Sequence, residues 1–111
     1  MRTNENLDHA TREFLAEKLD IINREFAPAH IIIFGSRARG SARADSDIDV
    51  IVVSERFRDI RYPNRMGRFL NAVRPRQAVE AICYTPDEFD RLAAKGWPFV
   101  TIAIKDGIRI V

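Results

Sequence analysis

Two strongly apolar runs, Ile31 to Phe34 and Ile48 to Val53, sit on either side of a polar loop that opens with Gly35 and Ser36 and closes on Asp47. Short runs of β-branched residues bounded by glycine or acidic residues read as strands. Side chains alternate along a strand, so Asp47, Asp49, Ile51 and Val53 fall on one face and Ile48, Val50 and Val52 on the other. A strand apolar on both faces belongs in the middle of a sheet, which leaves two carboxylates side by side at its mouth. Like charges held that close repel, and the arrangement makes physical sense when a hard cation lies between them. Such oxygen donors suit Mg²⁺, which takes one or two carboxylates together with substrate phosphate oxygens. The first run complements this. Gly35 can adopt positive φ and let a ligand approach the backbone. Ser36 stands where a short helix can start, its N–H groups facing an anion. Arg37, Arg39 and Arg43 follow in the same loop.

In order, Gly35-Ser36, ten residues and then Asp47-Ile48-Asp49 is similar to the GS-x10-DxD signature of the nucleotidyltransferase superfamily that shares its fold with DNA polymerase beta. The wording GSRARGSARADSDIDV resembles most the minimal nucleotidyltransferase (MNT) proteins, over about a fifth of the chain. This resemblance implies a Mg²⁺-dependent transfer of NMP, with ATP as the leading donor, to an acceptor hydroxyl. It implies that Asp47 and Asp49 hold the metal against the triphosphate, that Gly35 and Ser36 cradle its β and γ phosphates, and that Arg37 and Arg39 offset phosphate charge. Glu80 then becomes the third carboxylate, as metal ligand, base or both. The family more often has Asp there, which leaves the role of Glu80 open but not its charge. MNT proteins commonly resemble antitoxins that attach AMP to a tyrosine of a small helical HEPN-domain toxin, which makes such a toxin the implied partner. Two other readings stand beside it: a non-catalytic module that binds a partner or senses nucleotide, and a small-molecule nucleotidyltransferase of the aminoglycoside-modifying kind.

The rest of the chain predicts what surrounds these residues. Leu15, Leu19, Ile22 and Phe26 form one face of an amphipathic helix from about Asp8, its N-cap, to Phe26, closed by Ala27-Pro28. Ser54 to Pro63 is polar and Arg-rich, and reads as a solvated connection in preference to a mobile loop at the substrate. Met66, Phe69, Leu70 and Val73 give a second helical stripe over Pro63 to Val73, with Arg65, Arg68 and Arg74 on its basic outer surface. Ala78 to Tyr84 is a third strand that carries Glu80 on the face of Ile82 and Tyr84. For Glu80 to reach the aspartates, this strand must run parallel to the second, through the helical crossover that such a pair requires. The first strand, which delivers Gly35 from its C-terminal end, must then run antiparallel. Thr85-Pro86-Asp87-Glu88 starts another helix with a capping box. Trp97 to Lys105 is open between helix and strand, and Ile108 to Val111 reads as a short last strand. The expected architecture is an α/β (α+β) nucleotidyltransferase fold with a small mixed sheet of three to four strands flanked by helices.

Composition sets the outer limits. A chain of 111 residues suits one domain, taken as 1–111, with a modest core. Its net charge is only +2, from 18 basic and 16 acidic residues, which argues against a strong non-specific nucleic-acid binder. Arg supplies 15 of the 18 basic residues, favouring bidentate contact with phosphate or carboxylate. No apolar run approaches the ~20 residues that cross a bilayer, and MRTNENLDH lacks the apolar centre of a signal peptide, so a cytoplasmic protein is expected. The lone Cys83 predicts a buried thiol. His9 and His30 lack the spacing of a zinc site.

Overall fold

The computed structural model describes residues 7–111; residues 1–6, part of the stretch inspected for a targeting signal, lie outside them. The elements run α1 (His9–Phe26), β1 (His30–Phe34), α2 (Ser36–Arg39), β2 (Ile48–Val53), α3 (Tyr62–Val73), β3 (Val79–Tyr84), α4 (Pro86–Ala94), α5 (Pro98–Asp106) and β4 (Ile108–Arg109). The four strands form one mixed sheet in the order β3-β2-β1-β4. β2 and β3 are parallel, while β1 is antiparallel to both β2 and β4. The orientation inferred from the placement of Gly35 and Glu80 is the one observed.

Alternation along β2 divides the interior. Ile48, Val50 and Val52 face a core completed by Phe14, Ile22, Phe26, Phe57 and Phe69, beneath α1 and α3. Ile51 and Val53 face a second core with Tyr84, Phe89, Val100 and Ala103, beneath α4 and α5. Every residue of β2 is buried except Asp49. The central strand is therefore held from both faces, and its only incompletely buried side chain is an acid.

The helix ends follow local chemistry. The Asp8 side chain accepts the Thr11 amide at 3.0 Å and caps α1, while Ala27, in the left-handed region, closes it. Thr85 and Glu88 form the expected capping box on α4. The segment left open at Trp97 is helical, with Pro98 in its first turn, because proline's fixed φ and absent N–H suit that position. Among the described residues no helix is long and apolar enough to cross a membrane.

Three expectations are corrected. Met66, placed on the apolar stripe of α3, is exposed, and Arg65, placed on the basic surface, is buried. The Arg65 guanidinium donates to Ile60 O at 2.8 Å, Cys83 O at 3.2 Å and Glu88 Oε1 at 2.6 Å. Its planar fork thus ties α3 to β3 and to the capping box of α4, a task for which arginine is suited and a hydrophobic side chain is not. The segment from Ser54 is also more than a solvated connection. Phe57 is fully buried, Ser54 Oγ donates to Phe26 O, and Arg56 donates to Arg24 O and Glu25 O at 2.9 Å each. Its arginines serve the C-terminus of α1 and, through Arg58 and Asp87, the start of α4.

Burial alone would raise the Glu88 carboxyl above its ordinary 4.5, but hydrogen bonds from Arg65 and the Thr85 amide outweigh it and hold the carboxyl below that value. A lowered carboxyl stabilises the fold fully above its unfolded value and loses that contribution as pH falls through the folded value. Arg65→Met is therefore expected to cost about 2 kcal/mol at pH 7, since it strands two carbonyls and a carboxylate. In urea unfolding, the gap from the wild type is expected to narrow below pH 4. A gap constant down to pH 2 would show that the Glu88 pair contributes nothing.

Candidate active site

Because β1 and β2 are antiparallel, the end of one meets the start of the other, with Phe34 opposite Asp49. Gly35, the next residue, has φ 73°, a backbone region that other residues adopt only at a cost. It is also in close contact. A Cβ built on Gly35 would collide with Asp49 Oδ2, so only glycine lets the loop backbone lie against that carboxylate. The chain then turns at once into α2, where Ala38 is buried as the anchor and the amides of Ala38 and Arg39 donate to Gly35 O at 3.1 and 3.0 Å. Ser36, half-buried, stands at the first position of this turn.

The parallel register of β2 and β3 places Glu80 beside Asp49, on one face of the sheet. Asp49 is half-buried, whereas Asp47 and Glu80 are exposed. Burial raises the Asp49 carboxyl above its ordinary value of 3.8; the charges of Glu80 and then Asp47 push it the same way, and Arg39 opposes them. Glu80 and Asp47 therefore both act on Asp49, at one end of the paired strands. They do not close into a cage: among the described residues, no three His, Cys, Asp or Glu side chains are grouped to hold an ion. Hard oxygen donors of this kind, beside the half-buried bend at Gly35 and Ser36, fit a Mg²⁺ that arrives with phosphate oxygens and water completing its shell.

The two loop arginines differ. The Arg37 side chain is only 11% exposed and donates to Asp8 Oδ2 at 3.2 Å and to Ser46 O at 2.8 Å. It fastens the far arm of the loop to the start of α1, so in this structure its guanidinium serves the scaffold. Arg39 is exposed and acts electrostatically on Asp49, the placement expected of a phosphate-facing cation. Cys83 is buried as predicted, and burial pushes its thiol up to about 12.

One feature of the site had no sequence signal. A cleft of about 240 Å³ lies between the end of β1 and α5, lined by Phe34, Gly35, Arg39, Phe99, Ile102 and Asp106. Its walls come from residues far apart in the chain, and it exists only because 98–106 is a helix.

Comparison with known proteins identifies the family. The family model described as "Nucleotidyltransferase domain" matches residues 15–110. Among solved structures, a protein provisionally described as a nucleotidyltransferase from Sulfolobus solfataricus is 25% identical, with a TM-score of 0.50, over 79% of this chain and 85% of that one. Comparison with curated proteins finds no match.

Two substitutions test the electrostatics. A raised carboxyl destabilises the fold as pH climbs from its unfolded value through its folded one, and the loss persists above that. Asp49→Asn is therefore expected to raise the Tm of the metal-free protein at pH 7 by about 2–4 °C, after discounting for solvent screening. The gain is expected to vanish near pH 3, where Asp49 is protonated in both states; a gain at pH 3 equal to that at pH 7 would exclude charge repulsion as its source. Gly35→Ala is expected to lower stability by about 1–3 kcal/mol, from the positive φ and the displaced carboxylate together. A neutral thermal melt for Gly35→Ala would show that the bend and Asp49 are not in contact.

Proposed function

Because the chain belongs to the nucleotidyltransferase domain family, we propose that it moves NMP from a nucleoside triphosphate, ATP first, onto an acceptor hydroxyl and releases pyrophosphate. One observation carries the assignment of residues: Asp49 abuts the Gly35 bend on one side and shares a parallel register with Glu80 on the other. The donor and acceptor sides of the reaction thus have protein groups on opposite sides of one carboxylate.

In this reaction an acceptor oxygen forms a bond to the α-phosphorus, the bond from that phosphorus to the bridging oxygen breaks, and pyrophosphate departs. The barrier is chiefly one of charge and alignment. The backbone at Gly35 and Ser36 receives the β and γ phosphates, and the positive charge of Arg39 lies where pyrophosphate charge accumulates. Asp47 and Asp49, with Glu80 at their side, would hold Mg²⁺, which supplies Lewis-acid stabilisation of the phosphates. Glu80, exposed on the outer strand β3, takes the proton of the incoming hydroxyl. The repulsion that raises Asp49 in the free protein is relieved when a cation joins the acids. The scaffold is thereby biased toward the loaded state.

The resemblance to minimal nucleotidyltransferases supports a finer reading, in which the acceptor is a tyrosine of a HEPN-domain toxin and this chain is the antitoxin. Incubation with Mg²⁺, α-labelled ATP and the protein encoded beside it, followed by mass spectrometry, is expected to locate AMP on a side chain of that neighbour. Asp49→Asn is expected to reduce transfer at least about 100-fold, and Glu80→Gln to lower kcat by about 10²–10⁴ while nucleotide still binds. Inhibition of the neighbour that survives Asp49→Asn would instead identify a non-catalytic binder, and labelling confined to a small aminoglycoside-type hydroxyl would overturn the protein acceptor.

A further inference from the structure

The catalytic reading uses the β1–β2–β3 side of the sheet and leaves the cleft between β1 and α5 without a role. We infer that this cleft receives the nucleobase of the donor nucleotide, and that a purine bearing an exocyclic amine fits it best. The inference rests on the reading of a nucleoside triphosphate as substrate.

Four observations support it. First, the cleft is continuous with the phosphate-facing loop, because Gly35 and Arg39 line both. A ligand whose phosphates lie on that loop has its remaining groups within reach of the cleft. Second, the cleft lies toward the β4 side of β1, whereas Glu80 is on β3 at the opposite edge of the sheet. The side of Glu80 is therefore left to the acceptor. Third, at about 240 Å³ the cleft is smaller than the roughly 300–1,000 Å³ that accommodates a whole drug-sized ligand, a size for one group of a larger molecule. Fourth, its chemistry is that of a base site. Phe34 and Phe99 meet edge to face with ring centroids 5.2 Å apart, and Phe99 and Ile102 remain 37% and 58% exposed. Large apolar side chains are left in water beside a highly polar loop, and a flat aromatic ligand would cover them.

The rim gives the preference. Asp106, the last residue of α5, brings a carboxylate with several acceptor sites to the cleft, and an exocyclic amine is a donor that it can receive. Adenine provides both the amine and the larger stacking surface, while the one N–H on the uracil edge is flanked by two carbonyl oxygens that a carboxylate repels.

Isothermal calorimetry with Mg²⁺ separates this inference from the reading on which it rests. The probes are α,β-methylene-ATP, its uridine counterpart and inorganic tripolyphosphate. The wild type is expected to bind all three, the adenosine compound most tightly. Ile102→Glu, a change at an exposed position, is expected to weaken the adenosine analogue about tenfold, within the range of a lost base-stacking contact, and to leave tripolyphosphate within about twofold. Phe99→Leu, which keeps an apolar wall, is expected to lose less than Ile102→Glu. Asp106→Asn is expected to shrink the adenosine-over-uridine preference. If tripolyphosphate binds but Ile102→Glu leaves the adenosine analogue unaffected, the cleft does not hold the base. If none of the three probes binds the wild type, the nucleotide reading itself fails and the cleft inference falls with it.

Discussion

The register between β2 and its two neighbours is the constraint on which the rest depends. Parallel pairing with β3 sets Glu80 beside Asp49, and antiparallel pairing with β1 sets Gly35 against the same carboxylate. A slip of one residue in either pairing would turn the acid toward the opposite core, since strand side chains alternate with a period of two. What prevents the slip is burial on both faces. Ile48, Val50 and Val52 are fixed under one pair of helices and Ile51 and Val53 under the other, so the hydrophobic effect that builds the sheet also aims the carboxylates.

That coupling explains why a half-buried acid can persist at the mouth of a hydrophobic strand. Asp49 experiences burial and two neighbouring negative charges, all unfavourable to its ionised form. The fold holds it there through contacts made elsewhere, and such local cost is a common mark of a functional position.

The sheet and its polarity were legible because their signals are local or follow from two-residue alternation. The placement of Gly35, Asp49 and Glu80 requires one antiparallel and one parallel pairing, and the helical crossover over 62–73 fits that demand. Capping chemistry fixed α1 and α4 in the same way, through Asp8, Thr85 and Glu88. Arg65 was not legible, because a pattern of apolar and polar residues assigns every arginine to the surface. Only the three-dimensional meeting of α3, β3 and α4 shows two carbonyls and a carboxylate converging on its fork. The partners of Arg37 were hidden for a related reason. It follows Gly35 and Ser36 directly in the chain, yet its partner Asp8 is 29 residues away. Helix and strand were equally open for 98–106, and with them the existence of the cleft.

The link from Arg37 to Asp8 also bears on where this module may be cut or grafted. The family resemblance begins at residue 15, but the salt bridge that ties down the far arm of the loop begins at residue 8. A transplant trimmed to the shared segment would keep every proposed reacting group while discarding the mooring of the loop that presents them. The portable unit is therefore longer than the recognisable one, and its extra residues, 8–14, belong to the architecture of the loop.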